Sequence, residues 1–358
     1  MIQDALIEVI QEVIEELNKL FTEKSLKREQ LDGFGEIFYQ EFDRYLSGGG
    51  KRVRPFLVKT AFEAVGGDYS EGNLMRAALA IELLHNGSLL HDDVIDKDET
   101  RRGKPAFHVL FRNYYQEKLP EKKEKASNFG EAISIFAGDL CFPYAIESLV
   151  QSGFSNDLIS KSLHAFAQGF KQVIDGVILE TGHTMKPTIS EEEYLKIIHL
   201  KTGALIRKAV EIGAILGKGT RSQINALTEY CNHLGKAFQI QDDILGIYGN
   251  PDKLGKPIGG DIREAKQTLL RIYSMTHGTK EQKKFIQNIM GKENLTTKEL
   301  EKIQQIFKET GALEYAMKAI VETSEKARKA LDKPSPELKE KPKQLLIELS
   351  QYLENRQK

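Results

Sequence analysis

The sequence predicts an all-α fold, a single large helical bundle, and three observations carry that prediction. Apolar residues recur at helical spacing along nearly all 358 residues, whereas strand-like alternation is hard to find. The 10 prolines are few, and Pro55, Pro105, Pro187, Pro251, Pro257, Pro334 and Pro336 fall at breaks in the helical pattern, where a missing N–H is tolerated. Ala77 to Leu90 and Ala209 to Leu216 are apolar nearly all round, as helices are at the centre of a large bundle.

Taken in order, the first element is an amphipathic helix within residues 1–30, where Leu6, Val9, Ile10, Val13, Ile14, Leu17, Leu20 and Phe21 form one apolar stripe. The same period predicts helices over 37–46, 56–65, 74–95, 129–150, 157–185, 191–216, 221–248, 266–277, 280–290, 297–310, 311–331 and 336–355. Residues 116–127, QEKLPEKKEKAS, read as a charged surface insertion between helices. From Lys280 onward Lys and Glu crowd the chain, as on exposed helical faces. No Gly/Ser-rich or Pro-rich linker and no fixed-period repeat divides the chain, so residues 1–358 read as one domain.

Lys and Arg number 51 against 52 Asp and Glu, a net charge of −1, which excludes the bulk basic footprint of a nucleic-acid or anionic-membrane binder. Any basic site must be local. Cys141 and Cys231 cannot build a disulfide framework and show no C-x-x-C spacing, which fits a reducing compartment and argues against structural zinc. The N-terminal MIQDALIEVIQEVIEELNKL interrupts its apolar residues with acids, unlike a secretory leader, and no uninterrupted apolar run approaches the roughly 18 residues of a membrane span. The expectation is a cytoplasmic protein with no membrane span and no nucleic-acid partner.

Three clusters carry chemistry. In IELLHNGSLLHDDVID a long apolar helix ends in Asp92, Asp93 and Asp96, and the i, i+4 pair Asp92 and Asp96 shares one face and can present two carboxylates to one cation. Acids are unfavourable at the negative end of a helix, so the cluster calls for a compensating cation, and oxygen-only ligands point to Mg²⁺. About 150 residues on, FQIQDDIL places a second Asp pair, Asp242 and Asp243, in apolar surroundings. Two such pairs would repel unless metal lies between them, and Mg²⁺ completes its shell with waters and phosphates, so a diphosphate ligand is predicted. The third cluster is Gly48-Gly49-Gly50-Lys51-Arg52-Val53-Arg54-Pro55, where glycines permit close backbone approach and Pro55 opens a helix as its first residue, making an anion site at the helix start. It is not a Walker A loop, because Tyr45 and Arg52 stand at required positions. Further cations at Arg101, Arg102, Lys201, Lys256 and Lys266 make two cationic groups beside one metal group, which suggests two phosphorylated substrates. His85 and His91 lie six apart, about 240° round the helix, and cannot form a metal pair.

Gly49-Gly50-Lys51-Arg52-Val53-Arg54-Pro55, Asp92-Asp93-Val94-Ile95-Asp96, Arg101-Arg102-Gly103, Lys201-Thr202-Gly203, Phe238-Gln239-Ile240-Gln241-Asp242-Asp243 and Gly255-Lys256-Pro257 to Lys266 together resemble, in order and spacing, the trans-isoprenyl diphosphate synthases, or polyprenyl synthetases. The resemblance covers the chain from about Phe38 to Gln304 and is closest in character to geranylgeranyl diphosphate synthases. It implies an all-α isoprenoid-synthase bundle with a central cavity, a homodimer, and head-to-tail condensation of isopentenyl diphosphate with an allylic diphosphate. By this resemblance Asp92, Asp96 and Asp242 are ligands of Mg²⁺, three ions in all, with Asp93 and Asp243 in the outer shell. Lys51, Arg54, His85 and Arg102 correspond to the isopentenyl diphosphate clamp, Arg101, Lys201 and Lys256 to partners of the allylic diphosphate, Thr202 and Gln239 to polar residues beside the allylic carbon, and Lys266 and Asp261 to supporting charges.

The sequence departs from the family at Gly246, where many members have a fifth-position Asp, at Val177, where many have Gln, and at Glu180, where Asp is common. Small Gly87 and Ser88 ahead of Asp92 leave no aromatic plug of the farnesyl type, and Phe142, with Tyr144, stands where some geranylgeranyl members carry floor residues. The expected product is therefore geranylgeranyl diphosphate. A longer-chain or farnesyl synthase, a class I terpene cyclase and a non-catalytic subunit of a heteromeric synthase are the alternatives.

Overall fold

Residues 2–28, 31–250 and 258–354 are described in the computed structural model. Helices α1 (Ile2–Arg28), α2 (Gly33–Ser47), α3 (Val53–Ala64) and α4 (Leu74–Ile95) are followed by a two-residue antiparallel hairpin, β1 (Thr100–Arg101) with β2 (Lys104–Pro105). Then come α5 (Phe107–Lys118), α6 (Ala126–Val150), α7 (Asn156–His183), α8 (Glu191–Leu216) and α9 (Arg221–Tyr248). The shorter α10 (Gly260–Arg263), α11 (Leu269–His277), α12 (Lys280–Ile289), α13 (Thr297–Glu309), α14 (Ala312–Ala330) and α15 (Glu340–Glu354) complete the chain. The fold is all-α, as the helical periodicity requires.

Helix ends follow local chemistry. Ser190 with Glu193 and Thr220 with Gln223 form capping boxes that start α8 and α9, and Asn73 accepts from the Arg76 N–H to start α4. These caps fix 74–95, 191–216 and 221–248 at the bounds the periodicity predicts. Three expectations need correction. Helix α5 has no counterpart among the predicted elements: its cap residue Ala106 offers no side-chain hydrogen bond, and Phe107, His108, Val109 and Phe111 bury a mostly aromatic and β-branched face that propensity does not favour. Residues 116–127 do not lie wholly between helices, for they comprise the last turn of α5, a 3₁₀ turn over Pro120–Lys125 and the start of α6. Pro55 is the third residue of α3 rather than its first, which still lies among the N–H groups that have no intrahelical acceptor.

The core consists of two apolar clusters. One gathers α1 to α7 with Ala204–Leu216 of α8, Leu227–Leu234 of α9, the end of α14 and α15; the other gathers Tyr194–Ile198 and Ala237–Ile247 of α8 and α9 with α10 to α13 and Ala312–Ile320 of α14. Helices α8 and α9 thus cross from one core to the other; Lys201 and Thr202 fall at the seam on α8, and Gln239 lies just beyond it on α9. Polar side chains are tolerated there because the seam opens into a cavity.

Glycine permits a very close helix contact in the first core: a Cβ on Gly213 would lie 2.1 Å from the carbonyl oxygen of Val58, a backbone atom that cannot swing aside. Gly213→Ala is therefore expected to force α8 away from α3 and destabilise the protein by about 2–3 kcal/mol, measurable by urea denaturation. Helix α6 raises a separate point. The segment Pro120–Val150 is long and apolar enough to pass for a membrane span on length and composition alone. Its Ser134, Ala137, Gly138 and Cys141 face is buried, however, with Gly138 against His91 of α4 and Cys141 beside Gly87, and Pro143 sits inside it on an exposed side.

Candidate active site

The first Asp motif forms the last turn of α4. Asp93 is fully buried and receives Arg101 Nε of β1 at 2.7 Å, and the same guanidinium donates to Asp98 at 2.9 Å. Burial pushes the Asp93 carboxyl up to about 6 even against this arginine. Asp93 therefore anchors the β1 hairpin, and its buried position is fixed by Arg101 rather than by the cavity.

Asp92 lines the cavity, and Asp92 and Asp96 each meet a lysine. Lys201 Nζ of α8 lies 3.9 Å from Asp92 and donates to Glu180 of α7 at 2.6 Å. Lys266 Nζ lies 3.3 Å from Asp96 and also pairs with Glu264. Burial lifts the Asp92 carboxyl above its usual range, with Asp96 and Glu180 adding repulsion and Lys201 opposing it. Burial would lower Lys266, but Asp96, Asp261 and Glu264 together hold it well above the ordinary lysine value. Glu264 itself is pushed up to about 7, first by burial.

Across the seam, Gln239, Asp242 and Asp243 of α9 line the cavity. Asp243 accepts from Tyr194 Oη at 2.8 Å and Gln239 Nε2 at 2.9 Å, and burial followed by the Asp261 charge pushes it well above the carboxylate range. Thr202 Oγ1 donates to Gln239 Oε1 at 2.5 Å, so the amide orientation of Gln239 is set from both ends. The departure at Gly246 has a structural counterpart: a Cβ there would lie 2.9 Å from Asp261 Oδ2, and the Gly246 carbonyl accepts from the Gly259 N–H at 2.8 Å. Asp261 occupies the space that a side chain at 246 would need.

The anion loop between α2 and α3 is held by a network that sequence reading missed. Arg52, left-handed at φ 46° and buried, donates to Glu82 at 2.5 Å and to the Leu46 carbonyl at 2.6 Å. Asn86 donates to the Glu82 carbonyl at 2.8 Å and accepts from Arg102, whose other arm donates to the Gly48 carbonyl at 2.6 Å. Gly49 and Gly50, at φ 62° and 95°, are needed because the Arg102 side chain lies against both. Glu82 and Asn86 interrupt the apolar run of α4 with His85, and that interruption was the available signal. Arg54 has a buried Nε with no protein partner, and burial lowers its proton affinity to about 10. His85 is held well below the usual histidine value by burial and by Arg54 and Arg102, so it is a neutral imidazole. Lys51 is exposed and donates to Tyr352 Oη of α15 at 3.0 Å.

These groups open on two adjoining cavities. One, of about 430 Å³, is lined by Lys51, Arg54, His85, Ser88, Asp92, Arg101, Arg102, Lys201, Thr202, Gln239 and Asp242. The other, of about 360 Å³, shares Arg101, Lys201, Thr202, Gln239 and Asp242 and adds Glu180, Asp261 and Lys266. His183 Nδ1 and Gln267 Oε1 on its wall are buried without partners, as a polar ligand site requires. Lys256 lies outside the described residues. Among the described residues no three His, Cys, Asp or Glu side chains converge as a ready-made metal centre. The carboxylates instead stand on opposite walls, which suits Mg²⁺ bound through one or two protein oxygens and completed by phosphate. Gly87, next to cavity-lining Ser88, packs on α6: a Cβ there would meet Cys141 at 2.9 Å and Phe142 at 3.2 Å, and the Phe142 ring packs on Phe170 of α7 with centroids 4.3 Å apart.

Comparison with known proteins agrees with this geometry. The polyprenyl synthetase family matches residues 35–309. A short chain isoprenyl diphosphate synthase of Methanothermobacter thermautotrophicus is 35% identical over 299 residues, 83% of this chain and 84% of that one. A geranylgeranyl pyrophosphate synthase of Geoglobus acetivorans is 33% identical over 350 residues, 96% and 98% of the two chains. The crystal structure of geranylgeranyl pyrophosphate synthase from Corynebacterium glutamicum, complexed with isoprenyl diphosphate and magnesium, superposes with a TM-score of 0.92 at 26% identity, covering 98% of this chain and 99% of that one.

Proposed function

Because the chain belongs to the polyprenyl synthetase family and is a trans-prenyltransferase, we propose that it condenses isopentenyl diphosphate with allylic diphosphates and releases the twenty-carbon geranylgeranyl diphosphate. The observation that carries this reading is a pair of adjoining cavities with a cationic group in each: Lys51, Arg54 and Arg102 in one, Lys266 in the other and Lys201 shared, with Asp92 lining the first and Asp242 lining both. A site for a single diphosphate needs only one such group.

Asp92, Asp96 and Asp242 would hold Mg²⁺, three ions by family resemblance, and the metal supplies positive charge that stabilises a departing diphosphate. Lys201 and Lys266, already placed among the carboxylates, add donors to the same leaving group. Neutral His85 donates a hydrogen bond to the isopentenyl diphosphate without adding charge, while Arg54 and Arg102 neutralise it. The Thr202 and Gln239 dipoles, fixed by their mutual hydrogen bond and by Asp243, face the carbon where positive charge develops. The released diphosphate takes the proton lost when the new double bond forms, so no protein nucleophile is required.

A twenty-carbon product is supported by small Gly87 and Ser88 beside the cavity and by the Phe142 and Phe170 rings beyond it. We also propose a homodimer, and a cytoplasmic location that suits the two free buried thiols Cys141 and Cys231. Ile135, Phe136, Ile146 and Val150 of α6 and Ile174 and Ile178 of α7 are large apolar side chains exposed on neighbouring helices, and large exposed apolar surfaces mark association sites. Phe136→Glu is expected to yield a folded monomer in sedimentation velocity, whereas the parent sediments as a dimer.

The test of function is incubation of the purified chain with labelled isopentenyl diphosphate, Mg²⁺ and dimethylallyl, geranyl or farnesyl diphosphate in turn, followed by chromatography of the dephosphorylated alcohols. A twenty-carbon alcohol is expected. Longer alcohols would overturn the product assignment alone, and turnover of an allylic diphosphate without incorporation of label would indicate a cyclase.

A further inference from the structure

Behind the Lys201–Thr202 turn lies an arginine that the reaction described above does not use. Arg207 of α8 is buried, and among the described residues no carboxylate lies within ion-pair distance of it; its guanidinium donates to the His199 carbonyl at 2.8 Å, to His199 Nδ1 at 3.1 Å and to Gln172 Oε1 of α7 at 2.9 Å. The nearby Glu211 is taken by Lys208 at 2.6 Å. Burial draws the proton affinity of Arg207 down to about 10. A buried charge held only by neutral acceptors is costly, and an apolar side chain of similar volume is often as stable or more so. Stability alone therefore does not account for an arginine here.

The surroundings indicate what it does. Three glycines squeeze α8 at this turn: a Cβ on Gly176 would lie 2.6 Å from the Lys201 backbone nitrogen, one on Gly235 would lie 3.0 Å from Gly203 Cα, and one on Gly203 would lie 3.0 Å from Arg207 Nη1. The guanidinium fork thus fills the space beside Gly203 and ties the carbonyl two residues before Lys201 to α7. We infer that Arg207 is a positioning residue: by holding the His199 carbonyl, its ring and Gln172 together, it fixes the Lys201–Thr202 turn between α7 and α9, so that Lys201 reaches Asp92 and Glu180 while Thr202 reaches Gln239. The inference rests on the assignment of Lys201 and Thr202 to the allylic side of a prenyltransferase site.

The test uses Arg207→Met in the full chain, with kinetics taken by varying the allylic diphosphate at saturating isopentenyl diphosphate and then the reverse, alongside thermal melting. Arg207→Met is expected to melt at or above the parent temperature, to lose about tenfold in kcat/KM for the allylic substrate, and to keep the KM for isopentenyl diphosphate within about twofold. Unchanged allylic kinetics would overturn the inference, as would losses for both substrates that track a lowered melting temperature. Should Arg207→Met not fold, Arg207→Lys decides. Lysine keeps the charge but offers a point donor in place of a fork, and it is expected to show the same selective allylic defect; parent-like kinetics would refute the positioning role. If the parent itself makes no prenyl product, the functional assignment fails rather than this inference.

Discussion

Asp92→Asn is expected to lower kcat/KM by roughly a thousandfold while leaving the metal-free protein at least as stable as the parent. The two effects have one cause. Asp92 is a carboxylate whose charged form is disfavoured by burial and by the nearby Asp96 and Glu180, with Lys201 and Lys266 offsetting only part of this. A carboxyl raised in the folded state penalises folding above its raised value, and the penalty is relieved as pH falls through that value. Asparagine removes the penalty at neutral pH and with it the oxygen charge that a divalent cation needs.

Thermal melting distinguishes this from ordinary damage to the fold. With chelator present, the melting temperature of Asp92→Asn should equal or exceed that of the parent. With Mg²⁺ and inorganic diphosphate the parent should gain stability by mass action, because the ligand binds a cluster that only the folded chain assembles, and the variant should lose most of that gain. If Asp92→Asn kept both its activity and its full response to Mg²⁺ and diphosphate, Asp92 would not be a metal ligand.

What could be read in the sequence followed from how local the determinants are. Both Asp motifs, the glycine-rich loop and the bounds of α4, α8 and α9 depend on residues within one or two turns of each other, and periodicity and caps report such features directly. Helix α5 was not legible because its start has no polar cap and its buried face is aromatic, so only tertiary packing on α6 explains it. The partners of site residues were equally hidden. Glu82 fixes Arg52 across 30 residues, Asn86 meets Arg102 across 16, and Tyr352 meets Lys51 across 301. The partners of Asp93 and Asp243 were hidden for the same reason. Each is a buried acceptor, one for Arg101 and one for Tyr194 and Gln239. Gly246 reads as a lost carboxylate, and only the return of the chain at Gly259 shows that Asp261 stands in that space.

Phe142→Ala is expected to shift the main product beyond twenty carbons by one or more isoprene units. Along α7, Glu180 stands level with Asp92, Val173 lines the cavity, and Phe170 is ten residues below Glu180, about 15 Å at 1.5 Å per residue. Phe170 thus begins where the lining ends. Phe142 of α6 closes the space against it, with the His91 ring edge-on at 5.8 Å behind. Gly87 keeps the opposite wall thin enough for Phe142 to approach, so the aromatic pair and the glycine act together as a floor. Removing one ring opens a gap between α6 and α7 that a growing chain can enter, because an apolar cavity is filled more readily by hydrocarbon than by water. The cost to stability should be near or below the low end of the about 3–5 kcal/mol seen for fully buried phenylalanines, since Phe142 is only half-buried. Phe170→Ala should act in the same direction, and the double variant should give longer alcohols than either single change. Twenty-carbon alcohols from all three variants would place the stop elsewhere, whereas a shift confined to Phe142→Ala would assign it to that ring and remove Phe170 from the floor.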